Sequence, residues 1–202
     1  MQLGIGARHG WRPLGKPRII SEAQGNIIKS IDNKKASSLY EEYFGKESEI
    51  LHATKLETMT ILYPLGIYVE GSQEYLLKNA VDIRPDGSIV CQGDVEEGSE
   101  VHIMIGNKDS CKEAAKEAAE EAQKELGGRS PKLIIVIESM ARLKLLGRSA
   151  IDEVKRIKGV FGPDIPIIGM YSYGQICPFQ SIEQFKRPHI QNESIVVLAI
   201  TS

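Results

Sequence analysis

Several large protein classes are closed to this chain by what it lacks. Its longest apolar runs, residues 133–137 and 195–200, are five and six residues long, whereas a membrane-crossing helix needs roughly 20. The opening Met1-Gln2-Leu3-Gly4 has no basic segment leading into an apolar one, so no signal peptide is expected. Cysteine is scarce. The three present, Cys91, Cys111 and Cys177, fit neither a disulfide framework nor a zinc pattern and read as packing residues. The four histidines, His9, His52, His102 and His189, are as scattered, and no metal site is expected. The formal net charge is only -2 and no block of like charge reaches five residues, so the basic face that nucleic acid requires is missing. Walker and dinucleotide glycine patterns are absent too, and no cofactor is expected. A reduced, cytoplasmic protein without nucleic acid or membrane as partner is the expectation.

What is present centres on residues 131–175. The run Leu133-Ile134-Ile135-Val136-Ile137 follows Pro131 and breaks off into Glu138-Ser139-Met140-Ala141-Arg142. A second apolar run, residues 165–170, breaks off into Tyr171-Ser172-Tyr173-Gly174-Gln175. Short β-branched runs bounded in this way read as buried strands, with a helical stretch between them. If the strands are parallel, the crossover places both polar loops at one edge of the sheet, the usual place for a ligand.

The rest of the chain divides around this stretch. Residues 11–17 are turn-rich, and residues 18–23 and 26–31 read as two short strands. Residues 35–44 read as a helix closed by Gly45, and residues 46–62 as a helix or linker. Residues 65–70 and 75–83 suggest a hairpin, Pro85-Asp86-Gly87 a turn, and residues 88–92 and 100–105 further strands. Residues 110–126 read as a helix with a Ser110/Glu113 capping box and a stripe of Ala114, Ala115, Ala118, Ala119 and Ala122 suited to lying flat on a sheet. Residues 149–161 form the next helix, stopped by Gly162-Pro163. The near-continuous Ile195-Val196-Val197-Leu198-Ala199-Ile200 reads as a strand buried on both faces. The fold class is therefore α+β: a mixed β-sheet with helices packed on it, hairpins first, then a β-α-β-α-β run and a final strand.

With these elements placed, the sequence resembles the FIST sensory domain of signal-transduction proteins. The resemblance to its C-terminal half rests on Tyr63-Pro64-Leu65-Gly66, Val81-Asp82-Ile83 before Asp86-Gly87, and Asp94-Val95-Glu96-Glu97-Gly98. It continues in Ser139-Met140-Ala141-Arg142 with Leu146-Gly147, in residues 169–178, and in Asn192-Glu193-Ser194-Ile195. Residues 1–45 look like the tail of the N-terminal half, 46–62 like a linker, and 63–202 like the C-terminal domain. The family commonly carries cysteine where Ser139 stands and glutamate where Gln175 stands. Most of its N-terminal half has no counterpart here. The resemblance implies a truncated, non-enzymatic, intracellular sensor. It would bind an amino acid or similar small carboxylate and act as a homodimer or through an attached output domain.

The candidate ligand-binding residues are Ser139, Arg142, Tyr171, Tyr173, Gly174 and Gln175. Arg142 could hold a carboxylate through paired hydrogen bonds, or make a salt bridge to Glu138 or Asp152. Ser139 could touch ligand or cap the helix after it. Glu138 could receive an ammonium group or simply be solvated. Only one of Tyr171 and Tyr173 can face a pocket, because they alternate. Gly174 is expected to supply an unusual backbone angle or a close approach. Gln175 both donates and accepts, unlike an ionised glutamate. Two other readings stand beside the sensor. One is an interaction or scaffold domain with a vestigial pocket. The other is a hydrolase using Ser139, for which His189 is the only late base and which has no Gly-x-Ser-x-Gly elbow. The pairs Glu96-Glu97 and Glu120-Glu121 read as solvated surface.

Overall fold

A computed structural model describes residues 1–45, 61–72, 74–179 and 187–202. The expected linker or helix at 46–62 lies almost wholly outside the described residues. The chain forms two compact units, Met1–Trp11 with Gly106–Ser202, and Arg12–Ile105. Strand β1 (Leu3–Arg8) belongs to the first. The second unit follows in the chain, with β2 (Arg12–Gln24), β3 (Ile27–Ile31), β4 (Lys34–Lys35), α1 (Ser38–Phe44), β5 (Leu65–Ile67), β6 (Leu76–Lys78), β7 (Ala80–Ile83), β8 (Ile89–Cys91) and β9 (Glu100–Ile105). The first unit resumes with α2 (Lys108–Glu125), β10 (Leu133–Ser139), α3 (Met140–Leu146), a short 3-10 turn, α4 (Ile151–Phe161), β11 (Ile167–Ser172), β12 (Gln175–Phe179), β13 (Arg187–Gln191) and β14 (Ile195–Ile200). The architecture is α+β with mixed sheets, as expected from the sequence.

The Arg12–Ile105 unit is antiparallel, in the order β6-β5-β9-β2-β3-β8-β7 with β4 on β3. Two expectations are corrected there. The turn-rich segment at 11–17 is, from Arg12 onward, part of β2, with Arg12, Pro13 and Leu14 opposite Ile105, Met104 and Ile103. Pro13 is tolerated because β3 joins β2 only from Ile20 onward, so β2 has one neighbour at that point. The expected strand 75–83 is two strands: β6 pairs with β5, whereas β7 pairs with β8. The turn at Pro85-Asp86-Gly87 forms as expected. Asp86 accepts from the Ser88 amide at 2.9 Å, and Gly87 sits at φ 88°.

The other unit carries the sheet β1-β14-β10-β11. β10 and β11 are parallel, while β14 runs antiparallel to both β10 and β1. Helix α2 starts earlier than its capping box suggested, because Asn107 is the N-cap and accepts from the Ser110 amide at 2.9 Å. Its alanine stripe is buried, with Ile134, Val136, Ile157, Ile195, Val197 and Ala199 completing one core. Close approach also requires small residues on the strand. A Cβ on Gly4 or on Gly6 would lie 2.0 Å from the carbonyl oxygen of Ala122 or Ala118. Glu121 was expected to be solvated with Glu120, but it accepts from the Ala7 amide and pairs with Arg8 at 2.9 Å. With Glu125, which takes the Ile5 amide at 3.0 Å, it covers the outer edge of β1. The antiparallel pair β12–β13 was not among the expected strands, and it contains Pro178 and Pro188. They lie opposite each other in a two-stranded ribbon, where a missing N–H breaks no second ladder.

Gly6→Ala should therefore lower stability by about 2 kcal/mol or more through overpacking. Gly159→Ala, in α4 with nothing within 4 Å, should raise it by up to about 1 kcal/mol. Urea denaturation of the two variants checks the contrast.

Candidate functional site

The parallel register puts Glu138 beside Tyr171 and Ser139 beside Ser172, so both polar loops do leave the sheet at one edge. β1 ends and β14 begins at the same edge, with Glu138 and Arg8 both opposite Ile195. Strand alternation then assigns the faces. Ile134, Val136 and Glu138 form one row under the helices, and all three are buried. Glu138 is thus the polar end of an apolar row, not the solvated strand end that the sequence suggested.

Arg142, in the first turn of α3, is fully buried. Its Nε donates to Glu153 Oε1 at 3.0 Å, and one terminal nitrogen donates to the same oxygen. That nitrogen also donates to the Cys111 carbonyl at 2.7 Å. The other donates to the carbonyls of His9 and Glu193 at 2.5 and 3.1 Å. The Trp11 ring lies 5.9 Å from the guanidinium carbon. All five N–H donors are engaged by protein oxygens, leaving none for a ligand carboxylate. The partner is Glu153, in the first turn of α4, and neither Glu138 nor Asp152. Burial works against the guanidinium's charge, but Glu153 more than offsets it and raises its pKa.

Ser139 is buried and caps α3, accepting from the Ala141 amide at 3.3 Å. Its hydroxyl donates to Glu193 Oε2 at 3.2 Å, so its partner is a carboxylate and not His189. Gln175 is 3% exposed. Its Nε2 donates to Ser172 Oγ at 2.7 Å, and its Oε1 has no protein partner. Tyr171 and Tyr173 are 41% and 77% exposed. Gly174 is not among the glycines at positive φ, and its carbonyl accepts from Ser172 Oγ at 3.2 Å. The structure thus joins Ser139 and Arg142 through Glu193, and Gln175 to the β11 loop through Ser172.

Glu138 is strongly perturbed. Burial, then the neighbouring Glu153 charge, pushes its carboxyl up to about 7, against the pull of Arg142 and a hydrogen bond from Tyr171. The Tyr171 phenol is pushed up to about 12 by burial and by Glu138. Burial also raises Glu153. Glu138 Oε2 and Glu153 Oε2 are both buried without a hydrogen-bond partner. The sequence reading missed Glu153, Glu193 and the backbone of His9 and Cys111. Only Asn192-Glu193-Ser194, a polar run abutting an apolar strand, gave a signal.

A mixed sheet whose parallel pair ends in a buried polar cluster beside exposed tyrosines defines an α+β domain with a candidate site at its strand ends. The profile described as FIST C domain matches residues 36–178, and that described as FIST N domain matches residues 1–34. The chain belongs to the FIST family, whose domains are small-ligand sensory domains of signalling proteins. Comparison with curated proteins and with solved structures gave no match. No helix among the described residues is long and apolar enough to cross a membrane.

Two outcomes follow for stability. Arg142→Ala should cost about 3–5 kcal/mol, because it strands Glu153 as a buried charge. Arg142→Lys should recover little, since an ammonium has three donors for five bonds; urea denaturation reads both. Glu138 binds its proton more tightly folded than unfolded, so its contribution is lost as pH rises from about 4.5 through about 7. Ionising it costs about 3 kcal/mol. Glu138→Gln should gain on the parent by that order between about pH 5 and pH 8, measured by urea midpoints.

Proposed function

We propose that this chain is the ligand-sensing domain of a signalling protein, and that an amino acid or similar small carboxylate binds where β10 and β11 end. Tyr171, Gly174 and Gln175 face the ligand, Tyr173 stands at the rim past the end of β11, where strand alternation no longer applies, and Ser139 and Arg142 hold the strand ends in place. The observation that carries this reading is Gln175. It is a buried amide whose nitrogen is engaged by Ser172 and whose oxygen has no protein partner. A buried acceptor left open in this way costs roughly 1–3 kcal/mol until something donates to it. The role is binding and not turnover, consistent with a Ser139 hydroxyl that is 2% exposed and directed at Glu193. The domain works in the cytoplasm and passes on occupancy through a homodimer or an attached output domain.

A second reading, an interaction domain with a vestigial pocket, is favoured by a different observation. Ser139, Arg142 and Gln175 are all buried among protein partners. Ile168, Met170 and Ile176, by contrast, are 62%, 65% and 76% exposed.

A thermal-shift screen of amino acids and small carboxylates decides between them. The sensor reading expects at least one stabilising compound, with affinity reduced about three- to tenfold by Gln175→Ala. A folded protein with no shift across the panel would support the interaction domain instead.

A further inference from the structure

We infer that Glu138 receives a positively charged nitrogen, so the ligands of this site carry a protonated amine. This rests on the small-ligand reading and specifies its chemistry. Two buried carboxylates, Glu138 and Glu153, share the buried Arg142 guanidinium. Glu138 and Glu153 are close enough for their charges to interact. Each keeps one buried oxygen without a hydrogen-bond partner. Both open atoms are acceptors when ionised, and Arg142 has no donor left to give them. What the cluster lacks is therefore a hydrogen-bond donor that also brings positive charge.

The nature of that donor follows from the surroundings. Among the described residues no three His, Cys, Asp or Glu side chains stand close enough to hold a metal ion. An ammonium suits the cluster better, because it offers three donors on a compact charge. Access lies through Tyr171, which is register-paired with Glu138, hydrogen-bonded to it, and 41% exposed. On this inference the incoming ammonium takes the place of the Tyr171 hydroxyl on the Glu138 carboxyl. An amino acid bound this way places its ammonium on Glu138.

Binding must also move a proton. The charged and titratable groups facing Glu138 are Tyr171 from β11, Arg142 from α3 and Glu153 from α4. Together with burial they leave Glu138 partly protonated near neutral pH. An incoming ammonium favours the carboxylate, so the Glu138 proton passes to solvent as the amine binds, and affinity rises as pH increases through 7.

The test uses the whole chain and three matched probe sets. These are free amino acids, the amines that remain when the carboxyl is replaced by hydrogen, and the 2-hydroxy acids in which hydroxyl replaces the amine. Titration calorimetry in two buffers of different protonation enthalpy reads affinity and proton release. The expected result is that amino acids and amines bind with proton release near pH 7. The matching hydroxy acids should bind roughly ten- to a hundredfold more weakly. Glu138→Gln, a neutral isostere, should lose the same factor for amines and release no proton. Hydroxy acids that bind as tightly as their amino acids, or unchanged proton release in Glu138→Gln, would overturn the amine assignment and leave the small-ligand reading standing. Failure of all three sets to bind folded protein would overturn both.

Discussion

The Arg142 guanidinium is the interaction on which the architecture of the site depends. A buried cation is tolerable only when every donor is matched and its charge is paired. Meeting that condition fixes four separate pieces of chain around one side chain. They are the end of β1 through His9, the start of α2 through Cys111, α4 through Glu153, and the approach to β14 through Glu193. Three of these contacts are to backbone carbonyls, so they specify where the chain runs and not merely which side chains occupy it. The strand ends that make the candidate site are therefore held from beneath by a group that never reaches the surface.

The same arrangement carries a local strain. Glu193 is fully buried and adopts φ 59°, a left-handed backbone that costs a non-glycine residue about 1–2 kcal/mol. Its carbonyl accepts from Arg142 and its carboxylate from Ser139, which compensates for the conformation. Gln175 plays a comparable part in the neighbouring loop. Its amide nitrogen donates to the carbonyl and the hydroxyl of Ser172. An ionised glutamate in its place could accept from the hydroxyl but not donate to the carbonyl. The glutamine thus ties the loop to the end of β11 in a way the acid could not.

Much of the fold was legible because the signals were local. The alanine stripe of α2, the parallel pair β10 and β11 with both loops at one edge, and the buried β14 all follow from periodicity and the right-handed crossover. Where expectation failed, a non-local contact had overridden a local rule. Pro13 and Pro178 sit in strands because those strands have one neighbour there. Glu121 is not solvated because β1 needs acceptors along its edge. The site was legible in position more than in role. Arg142 and Ser139 were found because they follow a buried strand, but what they bond is set by residues 11 to 133 positions away in the chain. Glu138 was undervalued because a glutamate at a strand end is ordinarily solvated, whereas β10 runs on to Ser139 and keeps Glu138 in the buried row of Ile134 and Val136.

The central claim is that Arg142 is wholly committed to the protein and that recognition falls to the acceptors around it. Heteronuclear NMR of the Arg142 guanidinium tests this most directly. The account predicts separate, slowly exchanging N–H signals for this side chain, essentially unmoved when a binding amine or amino acid is added. A rotationally averaged, rapidly exchanging guanidinium, or an Nε–H signal that shifts strongly on ligand addition, would contradict it and return Arg142 to the ligand.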